Sequence, residues 1–331
     1  MTVLHRAGPA CFRQAVLVLG TLGILLVSSP ARTQDYPSRD IHAICNFPAG
    51  TGADIYVRYF SDKLSKLAGK SVIVDNRAGA LGTIGTEAAA RAKPDGYTIY
   101  IAPGSSSHAA SAHMFKKLPF DPVKDFISVT TLGKLSFVFA VDPKSSIKTM
   151  ADLTAHLKAK GKGTYGTPAP TGVVSAELYK KFAGVQATKV QYKDTALPMN
   201  DMLAGNLDFM LGDASWAVEP AKAGKIRILA VSGDRAAALP GVPTMEEAGV
   251  KGFGSVMAWW AVYVPTKTPQ PIVNKLEGWF NQIVAGEETK TFLNNLGADP
   301  FPGNSKTAAA LLLKDLKAWG EYVKLAGIEP Q

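Results

Sequence analysis

Short runs of β-branched and aromatic residues alternate with helical patterns from residue 41 to residue 264, and this alternation constrains the fold more than any other feature of the sequence. It is typical of α/β proteins, in which helices join parallel strands. The runs predict strands at 41–47, 71–74, 97–102, 137–141, 164–166, 189–192, 207–211, 226–231 and 258–264. Helical patterns at 271–285, 288–296 and 305–325 follow the last run, so we expect these helices to pack onto a sheet that is already complete.

The predicted strands fall into two sets, and a chain of 331 residues is long enough for two domains. We expect domain 1 to comprise residues 32–135 together with 258–331, and domain 2 to comprise residues 136–257. The chain then crosses between the domains near 133–136 and again near 254–259. Two crossings form a hinge, and closure about a hinge can bury a ligand.

The N-terminus has the layout of a secretory signal peptide. His5, Arg6 and Arg13 flank an apolar stretch at 15–27, and small residues follow it up to Ala31. The stretch is shorter than the roughly 20 apolar residues that span a bilayer. We therefore expect residues 1–31 to form a signal peptide and the mature protein to be located in the periplasm. The alternative is an uncleaved N-terminal anchor.

Charge and cysteine content narrow the function classes. The formal net charge of +9 falls to +7 without the leader, and such a moderate positive field either attracts anionic solutes or only aids solubility. Lys and Arg are scattered rather than clustered, which argues against a nucleic-acid partner. Because Cys11 lies in the leader, Cys45 is the one remaining thiol, and we expect it to be a small buried packing residue.

Three glycine-containing loops follow predicted strands of domain 1: the first loop at 47–54, the second at 76–82 and the third at 102–108. Open α/β sheets bind ligands at the carboxyl ends of their strands. Glycine lets the main chain approach a ligand closely, and free amides at a helix start favour an anion. The hydroxyls of Thr51, Ser105 and Ser106 add donors. The loops therefore predict an anion site, unless the glycines serve only to make tight turns.

Motifs of enzymes, cofactor sites and metal sites are missing from the sequence. The first loop lacks the third glycine of a dinucleotide-binding loop, since Ile55 stands there. The sequence has no Gly-x-Ser-x-Gly elbow, and His108 and His113 lack the acidic partner of a zinc-binding helix. We therefore predict no catalytic residue, no cofactor and no metal. The alternative is an exported hydrolase that uses Ser105 or Ser106 with His108.

Several short motifs together carry a family resemblance that runs from about Tyr36 to the C-terminus. The most specific are FDPVKDF at 120–126, AGKIRILAV at 223–231, and LPGVPT at 239–244 with EAG at 247–249. NRAGA at 76–80, PDGY at 94–97, and AW at 258–259 with Pro265 fit the same pattern. In combination they resemble the Bug family, the periplasmic solute receptors of tripartite tricarboxylate transporters.

The resemblance implies a two-domain α/β clamshell of the type II periplasmic binding protein kind, with two sheets, flanking helices and a double crossover hinge. It also implies that one ligand carboxylate lies against the first and third loops, while domain 2 selects the rest of the ligand. The expected ligand-binding residues, with the Ser106 hydroxyl added from the third loop, are Phe47, Ala49, Gly50, Thr51, Asp54, Gly104, Ser105 and Ser106 in domain 1, and Thr167 and Asp213 in domain 2.

The sequence departs from the family pattern mainly in domain 2, at Gln191, at Asp194 and in the loop 167–171, so the identity of the ligand does not transfer. We predict a monomeric receptor that captures a dicarboxylate or an aromatic carboxylate and delivers it to integral membrane transporter subunits. The aromatic option rests on Phe47, Trp216 and Trp259, although large aromatics more often lie in a core. A sensor subunit that presents its liganded form to a signalling protein is a further alternative.

Overall fold

The computed structural model describes residues 1–3, 36–167, 169–190, 192, 196–253 and 256–330. The predicted signal peptide lies outside the described residues except for residues 1–3, and Gln191 and Asp194 lie outside them as well. All elements discussed below belong to one compact unit, residues 37–331. Over the described ranges, no helix combines the length and the apolar character that a membrane span requires.

The elements of secondary structure have the following bounds. The strands are β1 (Ile41–Cys45), β2 (Val72–Asn76), β3 (Thr98–Pro103), β4 (Phe126–Leu135), β5 (Phe137–Val141), β6 (Gly163–Gly166), β7 (Ala187–Val190), β8 (Phe209–Asp213), β9 (Arg227–Val231), β10 (Ala258–Pro265) and β11 (Ala298–Pro300). The α-helices are α1 (Gly52–Ala68), α2 (Thr83–Ala90), α3 (Ser111–Met114), α4 (Met150–Lys160), α5 (Pro170–Ala183), α6 (Ala196–Leu203), α7 (Val218–Lys222), α8 (Gln270–Val284), α9 (Glu287–Asn295) and α10 (Ser305–Ala326). Short 3₁₀ turns lie at Ala80–Gly82 and Ala214–Trp216, and a π-helix lies at Ser105–Ala110.

Two mixed sheets organise these elements into an α/β clamshell with two lobes. The first sheet has the strand order β11-β4-β10-β3-β1-β2, and the second has the order β7-β6-β8-β5-β9. We call the part built on each sheet the first and the second lobe. The predicted fold class is therefore confirmed, while the limits given above for the two domains stay a prediction.

The sheets differ from the purely parallel arrangement that the alternating pattern predicted. Among the strands of the described ranges, β1 pairs in parallel with β2 and β3, and β6 with β7 and β8, whereas the other pairs are antiparallel. The strands next to the crossings are antiparallel: β4 leaves the first lobe beside the returning β10, where Leu135 pairs with Ala258. In the second lobe β5 is antiparallel to β9, where Val138 pairs with Val231. Because Leu135 and Ala258 are paired, the two crossings leave the first lobe side by side.

Two strands were missed by the sequence pattern, and one predicted turn is a helix. In β4, a ten-residue strand, Ser128, Thr130 and Thr131 are buried although they are polar, so the strand lacks an apolar signature. β11 is too short to leave a pattern, at three residues. The serines of the third loop form the π-helix rather than an open turn. Part of the second predicted crossing, residues 254–255, lies outside the described residues.

Helix α1 shows how the flanking helices are fixed in place. Tyr56, Phe60 and Leu64 recur at a spacing of four and are fully buried, which gives the helix one apolar face. Thr51 caps its start, and Gly69, with φ of 64°, ends it in the left-handed conformation that glycine adopts without strain. The ring of Tyr56 stacks on Trp260 of β10, with 4.5 Å between ring centroids. The start of α1 is thus held rigidly at the end of β1.

Candidate anion-binding site

Three helices begin at the carboxyl ends of parallel strands, which is the edge where α/β sheets bind ligands. In the first lobe α1 follows β1, and a helical run at 104–114 follows β3. In the second lobe α5 follows β6. The start of the run at 104–114 packs against α5, and α1 contacts the 3₁₀ turn at Ala214–Trp216. The starts of the helices therefore meet where the two lobes touch.

The first loop is held together by Asp54. Its Oδ2 accepts hydrogen bonds from the Gly50 N–H at 2.9 Å and from Arg58 Nε at 2.8 Å. Its Oδ1 accepts from Asn76 Nδ2 at 2.8 Å. Burial alone would raise the pKa of Asp54, but the bonds from Arg58, Gly50 and Asn76 outweigh it and lower the pKa. The carboxylate is thus occupied by the protein, and Asp54 positions the loop rather than offering a free group to a ligand.

The start of α1 presents unpaired donors. The hydroxyl of Thr51 accepts from the Asp54 N–H at 3.3 Å and donates to the Pro48 carbonyl at 2.8 Å. The N–H groups of Gly52 and Ala53, in the first turn of the helix, find no acceptor within the described part of the chain. They carry the positive end of the dipole of a helix of 17 residues. An anion is the natural partner for such a helix start.

The remaining predicted residues of the first loop surround this helix start. Phe47 is half-buried and lies 6.3 Å, centroid to centroid, from Trp260. Ala49 and Gly50 are exposed. Gly50 has φ of 81°, a conformation that a side chain would strain, and it places its N–H on Asp54. The main chain of the loop is therefore open to a ligand, although the Gly50 N–H itself is already used.

The third loop contributes a buried hydroxyl. Ser105 is fully buried, and its Oγ has no hydrogen-bond partner among the described residues. Ser106 is also buried, and its carbonyl accepts from Ser111 Oγ at 2.9 Å. A Cβ at Gly104 would clash with the ring of Trp259 and the hydroxyl of Tyr263, so only glycine fits there. An unpaired buried hydroxyl is costly unless something binds it, and Ser105 lies at the start of the helical run 104–114.

Asn46 is a residue of the site that the sequence reasoning missed. It is buried directly after β1, and its Nδ2 donates to Ser107 Oγ at 2.9 Å and to the Gly82 carbonyl at 3.4 Å. It therefore ties the second loop to the third. Its Oδ1 finds no donor within the described ranges. The available signal was a polar residue between the buried Cys45 and Phe47 at the end of an apolar strand.

In the second lobe, Thr167 and Asp213 occupy the ends of β6 and β8. Thr167 is buried against Gly172 in the first turn of α5, where no side chain would fit. Asp213 Oδ1 accepts from the Ser215 N–H at 3.0 Å and from the Ser215 hydroxyl. Burial raises the pKa of Asp213, and the bonds from Ser215 only partly offset this. Pro168, in the same loop as Thr167, lies outside the described residues.

The two lobes approach each other closely at Gly52. A Cβ at this position would lie 2.6 Å from the carbonyl oxygen of Ser215. The first lobe therefore touches the second where the backbone at the start of α1 meets the backbone of Ser215. The N–H of Ser215 donates to Asp213. Any side chain at position 52 would oppose this approach.

Trp259 supports the third loop. It is fully buried beneath Gly104, and its Nε1 donates to Asp315 Oδ2 at 2.8 Å. Trp319 Nε1 donates to the same oxygen at 3.2 Å, and its ring lies 6.1 Å from that of Phe137, the first residue of β5. Burial raises the pKa of Asp315 to about 6, although the two indole donors oppose this. Asp315 thus joins the third loop to the crossing between the lobes.

The geometry gives no support to the hydrolase alternative. His108 is fully buried and stacks on Tyr263 at 4.2 Å, and its Nδ1 lies 3.1 Å from the Pro122 carbonyl rather than beside an acid. Burial lowers the pKa of His108 to about 4, which is poor for a general base at neutral pH. Neither Ser105 nor Ser106 bonds to His108 within the described chain. The described part of the chain also contains no cluster of three His, Cys, Asp or Glu side chains arranged for a metal ion.

Comparison with known proteins identifies similar sequences and structures. The family model described as "Tripartite tricarboxylate transporter family receptor" matches residues 56–328. A UPF0065 protein of Bordetella bronchiseptica is 31% identical over 317 residues, covering 95% of this chain and 93% of that protein. Protein BugT of Bordetella pertussis is 27% identical over 318 residues, covering 94% of this chain and 97% of that protein.

Solved structures of similar sequence share the fold. Rpa4515 of R. palustris with adipate has a TM-score of 0.85 and 29% identity, covering 90% of this chain and 100% of that chain. The periplasmic binding protein BugD has a TM-score of 0.83 and 27% identity, with coverages of 89% and 100%. MatC from Rhodopseudomonas palustris with bound malate has a TM-score of 0.81 and 26% identity, with coverages of 87% and 100%.

Replacing Gly52 by Ala should hold the lobes apart. The new methyl group would overlap the Ser215 carbonyl, and overpacking of this kind costs about 1–3 kcal/mol. The equilibrium between touching and separated lobes should shift by roughly 5- to 150-fold. Small-angle X-ray scattering should then give a larger radius of gyration. Gly278→Ala, on the exposed side of α8 with nothing near its Cβ position, is the matched control. An unchanged scattering curve for Gly52→Ala would show that the lobes do not need this contact.

Replacing Asp315 by Asn should change how stability depends on pH. The folded-state pKa of about 6 lies above the unfolded value of about 4, so ionisation destabilises the fold. The wild type should lose up to about 3 kcal/mol of unfolding free energy, relative to Asp315→Asn, as the pH rises from 4 to 6. Urea unfolding at pH 4.5, 5.5 and 7 measures this difference. Asp40→Asn, at an exposed surface position, should run parallel to the wild type. If the stability of Asp315→Asn also changes with pH in parallel with the wild type, the raised pKa of Asp315 is refuted.

Proposed function

This chain belongs to the receptor family of tripartite tricarboxylate transporters, and we propose that it binds a small carboxylate between its lobes. In this proposal the protein is a periplasmic receptor, and it delivers its ligand to the membrane subunits of such a transporter. The ligand leaves chemically unchanged, since the site binds and orients without a nucleophile and base. The protein acts as a monomer.

The observation that carries the proposal is the set of unsatisfied donors at the first-lobe helix starts. The N–H groups of Gly52 and Ala53 and the buried hydroxyl of Ser105 have no acceptor within the described part of the protein. A hydrogen bond to a charged group contributes about 1.5–3 kcal/mol. A few such bonds hold a carboxylate without a Lys or Arg. The loops around these donors are fixed by Asp54 and Asn46, so little ordering is needed on binding.

The ligands of similar proteins support a carboxylate as the class of ligand. The structure of Rpa4515 is described with adipate, and that of MatC with bound malate. Both molecules carry carboxylates. The periplasmic location rests on the predicted leader and on the family, and delivery to membrane subunits rests on the family alone.

A carboxylate ligand should raise the thermal stability of the purified mature protein. A ligand at 100 times its dissociation constant adds about 2.7 kcal/mol to the free energy of unfolding. We expect a shift in melting temperature with at least one member of a panel of mono-, di- and aromatic carboxylic acids, and calorimetry then gives the affinity. If no acid shifts the melting temperature, the proposed function is wrong.

Ser105→Ala should weaken binding of the acid so identified by about tenfold, since it removes one hydrogen bond to a charged group. The variant should be at least as stable as the wild type without ligand, because the hydroxyl has no partner to lose. Ser61→Ala is the matched control, since Ser61 Oγ is also buried without a partner but lies in the middle of α1. Ser61→Ala should leave the affinity unchanged. Equal effects of the two variants would place the carboxylate elsewhere.

A further inference from the structure

We infer that a groove on the second lobe binds a loop of the transporter's integral membrane subunit, and that Arg227 anchors an acidic side chain of that loop. We call this surface the β9 groove. It is lined by the start of β9, by the segment 221–226 before it and by the loop 238–242. The inference rests on the proposed function, in which the receptor delivers its ligand to such a subunit, and it adds the docking surface and the chemistry of the partner.

The β9 groove lies away from the meeting point of the lobes. β5 is antiparallel to both β8 and β9, so β8 and β9 start at the same end of the second sheet. The carboxyl end of β8 lies at the meeting point, and the start of β9 therefore lies at the opposite end. The cavity volume of the groove is about 470 Å³. A partner bound there does not compete with a carboxylate held between the lobes.

Two of the motifs that carry the family resemblance form this groove. AGKIRILAV at 223–231 supplies the start of β9, and LPGVPT at 239–244 supplies the loop beside it. Neither motif contributes a residue to the candidate anion-binding site. The Val231 N–H donates to the Pro243 carbonyl at 2.9 Å, and the Met245 N–H donates to the Val231 carbonyl at 2.7 Å. Backbone bonds thus hold the loop along the strand and fix the shape of the groove.

The floor of the β9 groove is apolar and recessed. Ile226 and Leu239 are buried, and Ile228 and Val242 are half-buried. None of these four belongs to the large apolar residues of the described chain that are strongly exposed. Binding to a membrane surface uses apolar side chains that insert between lipids. A recessed floor instead accommodates an apolar side chain of a partner protein.

Arg227 lies beside this floor in a fixed orientation. Its Nη1 donates to the Ile147 carbonyl at 2.9 Å and to the Ser145 carbonyl at 3.4 Å, in the loop that follows β5. Its Nε and Nη2 have no acceptor among the described residues, and no acid of those residues pairs with it. This free edge of the guanidinium matches the two oxygens of a carboxylate. An oriented arginine beside apolar residues has the character of an interface hot spot.

The charge of the β9 groove determines the charge of its partner. Both charged residues among its described lining are cationic, Lys222 and Arg227. Lys222 pairs with Glu219 of the same helix at 3.1 Å, but both side chains are exposed, and such pairs contribute little. Lys225, next to the lining, is exposed and forms no ion pair with a described residue. A positive rim attracts an acidic partner and speeds its association.

A protein loop fits this groove better than a second small ligand does. Sites for small molecules enclose most of the ligand surface. In the β9 groove Lys222, Gly224, Pro240 and Gly241 of the lining are exposed, so one side is open. A loop with an aspartate or glutamate next to a large apolar residue covers the floor and reaches Arg227. The distance from the meeting point of the lobes also lets the receptor stay docked while its lobes separate.

Binding of the purified mature receptor to its transporter's integral membrane subunits in lipid nanodiscs tests the inference. Biolayer interferometry at low and high salt gives the dissociation constants, and empty nanodiscs measure binding to lipid. The variants are Arg227→Gln and the double variant Lys222→Glu with Lys225→Glu. Lys162→Glu is the matched control, since Lys162 is exposed and precedes β6 at the same end of the sheet, separated from β9 by β8 and β5.

We expect both variants to bind the membrane subunits at least tenfold more weakly than the wild type, and the double variant to lose most of the salt dependence. Lys162→Glu should stay within twofold of the wild type. Calorimetry with the acid found in the thermal-shift screen should give unchanged ligand affinity for all of them. Because Arg227 also bonds the loop after β5, the double variant decides the test if Arg227→Gln is unstable.

Undiminished binding of the double variant to the membrane subunits overturns the inference and leaves the proposed function standing. Equal binding of the wild type to empty nanodiscs also overturns it, in favour of a lipid surface. A wild type that binds the acid but not the subunits overturns both the inference and the delivery step. Failure of every acid to bind, with the subunits still bound, overturns only the carboxylate part of the proposed function.

Discussion

The structure depends on backbone N–H groups at the start of α1 that have no acceptor among the described residues. The N–H groups of Gly52 and Ala53 cannot bond within α1, because the first turn of a helix has no earlier carbonyl to use. Asp54 is the nearest carboxylate, yet Gly50, Arg58 and Asn76 occupy its oxygens. Asp54 thus fixes the loop, but because its oxygens are already bonded, it does not accept from the N–H groups at the start of α1. In the proposed function, a free carboxylate completes the arrangement.

Glycines set how closely the parts around this helix start approach one another. Gly104 lets the third loop rest on Trp259, and Gly172 lets Thr167 pack on the first turn of α5. Gly52 lets the backbone of one lobe touch the other. At Gly104 and Gly52 the neighbour is a rigid group, a ring or a backbone carbonyl, so a side chain there could be accommodated only by moving a whole element. The same contacts that position the donors therefore also set the distance between the lobes.

The sequence predicted the sheets and the loops well where the signal was local. Apolar runs located β5 within its observed bounds, and glycines after strands located the first and third loops. It failed where the cause was non-local: β4 is polar because its Ser128, Thr130 and Thr131 bond or pack within the lobe, and no pattern marks such a strand. The partners of Asp54 were not predictable for the same reason, since Arg58 and Asn76 approach it only in the fold. Asp315 left no local signal, and the signal for Asn46 was only a polar residue at the end of an apolar strand.

Charge is distributed unequally across the meeting point of the lobes. The first lobe offers the positive ends of α1 and of the helical run at 104–114, together with neutral donors. The second lobe offers the positive start of α5 beside the acidic Asp213, so its side of the meeting point is mixed in polarity. In the proposed function a ligand carboxylate therefore faces α1, where the oxygens of Asp54 are already bonded.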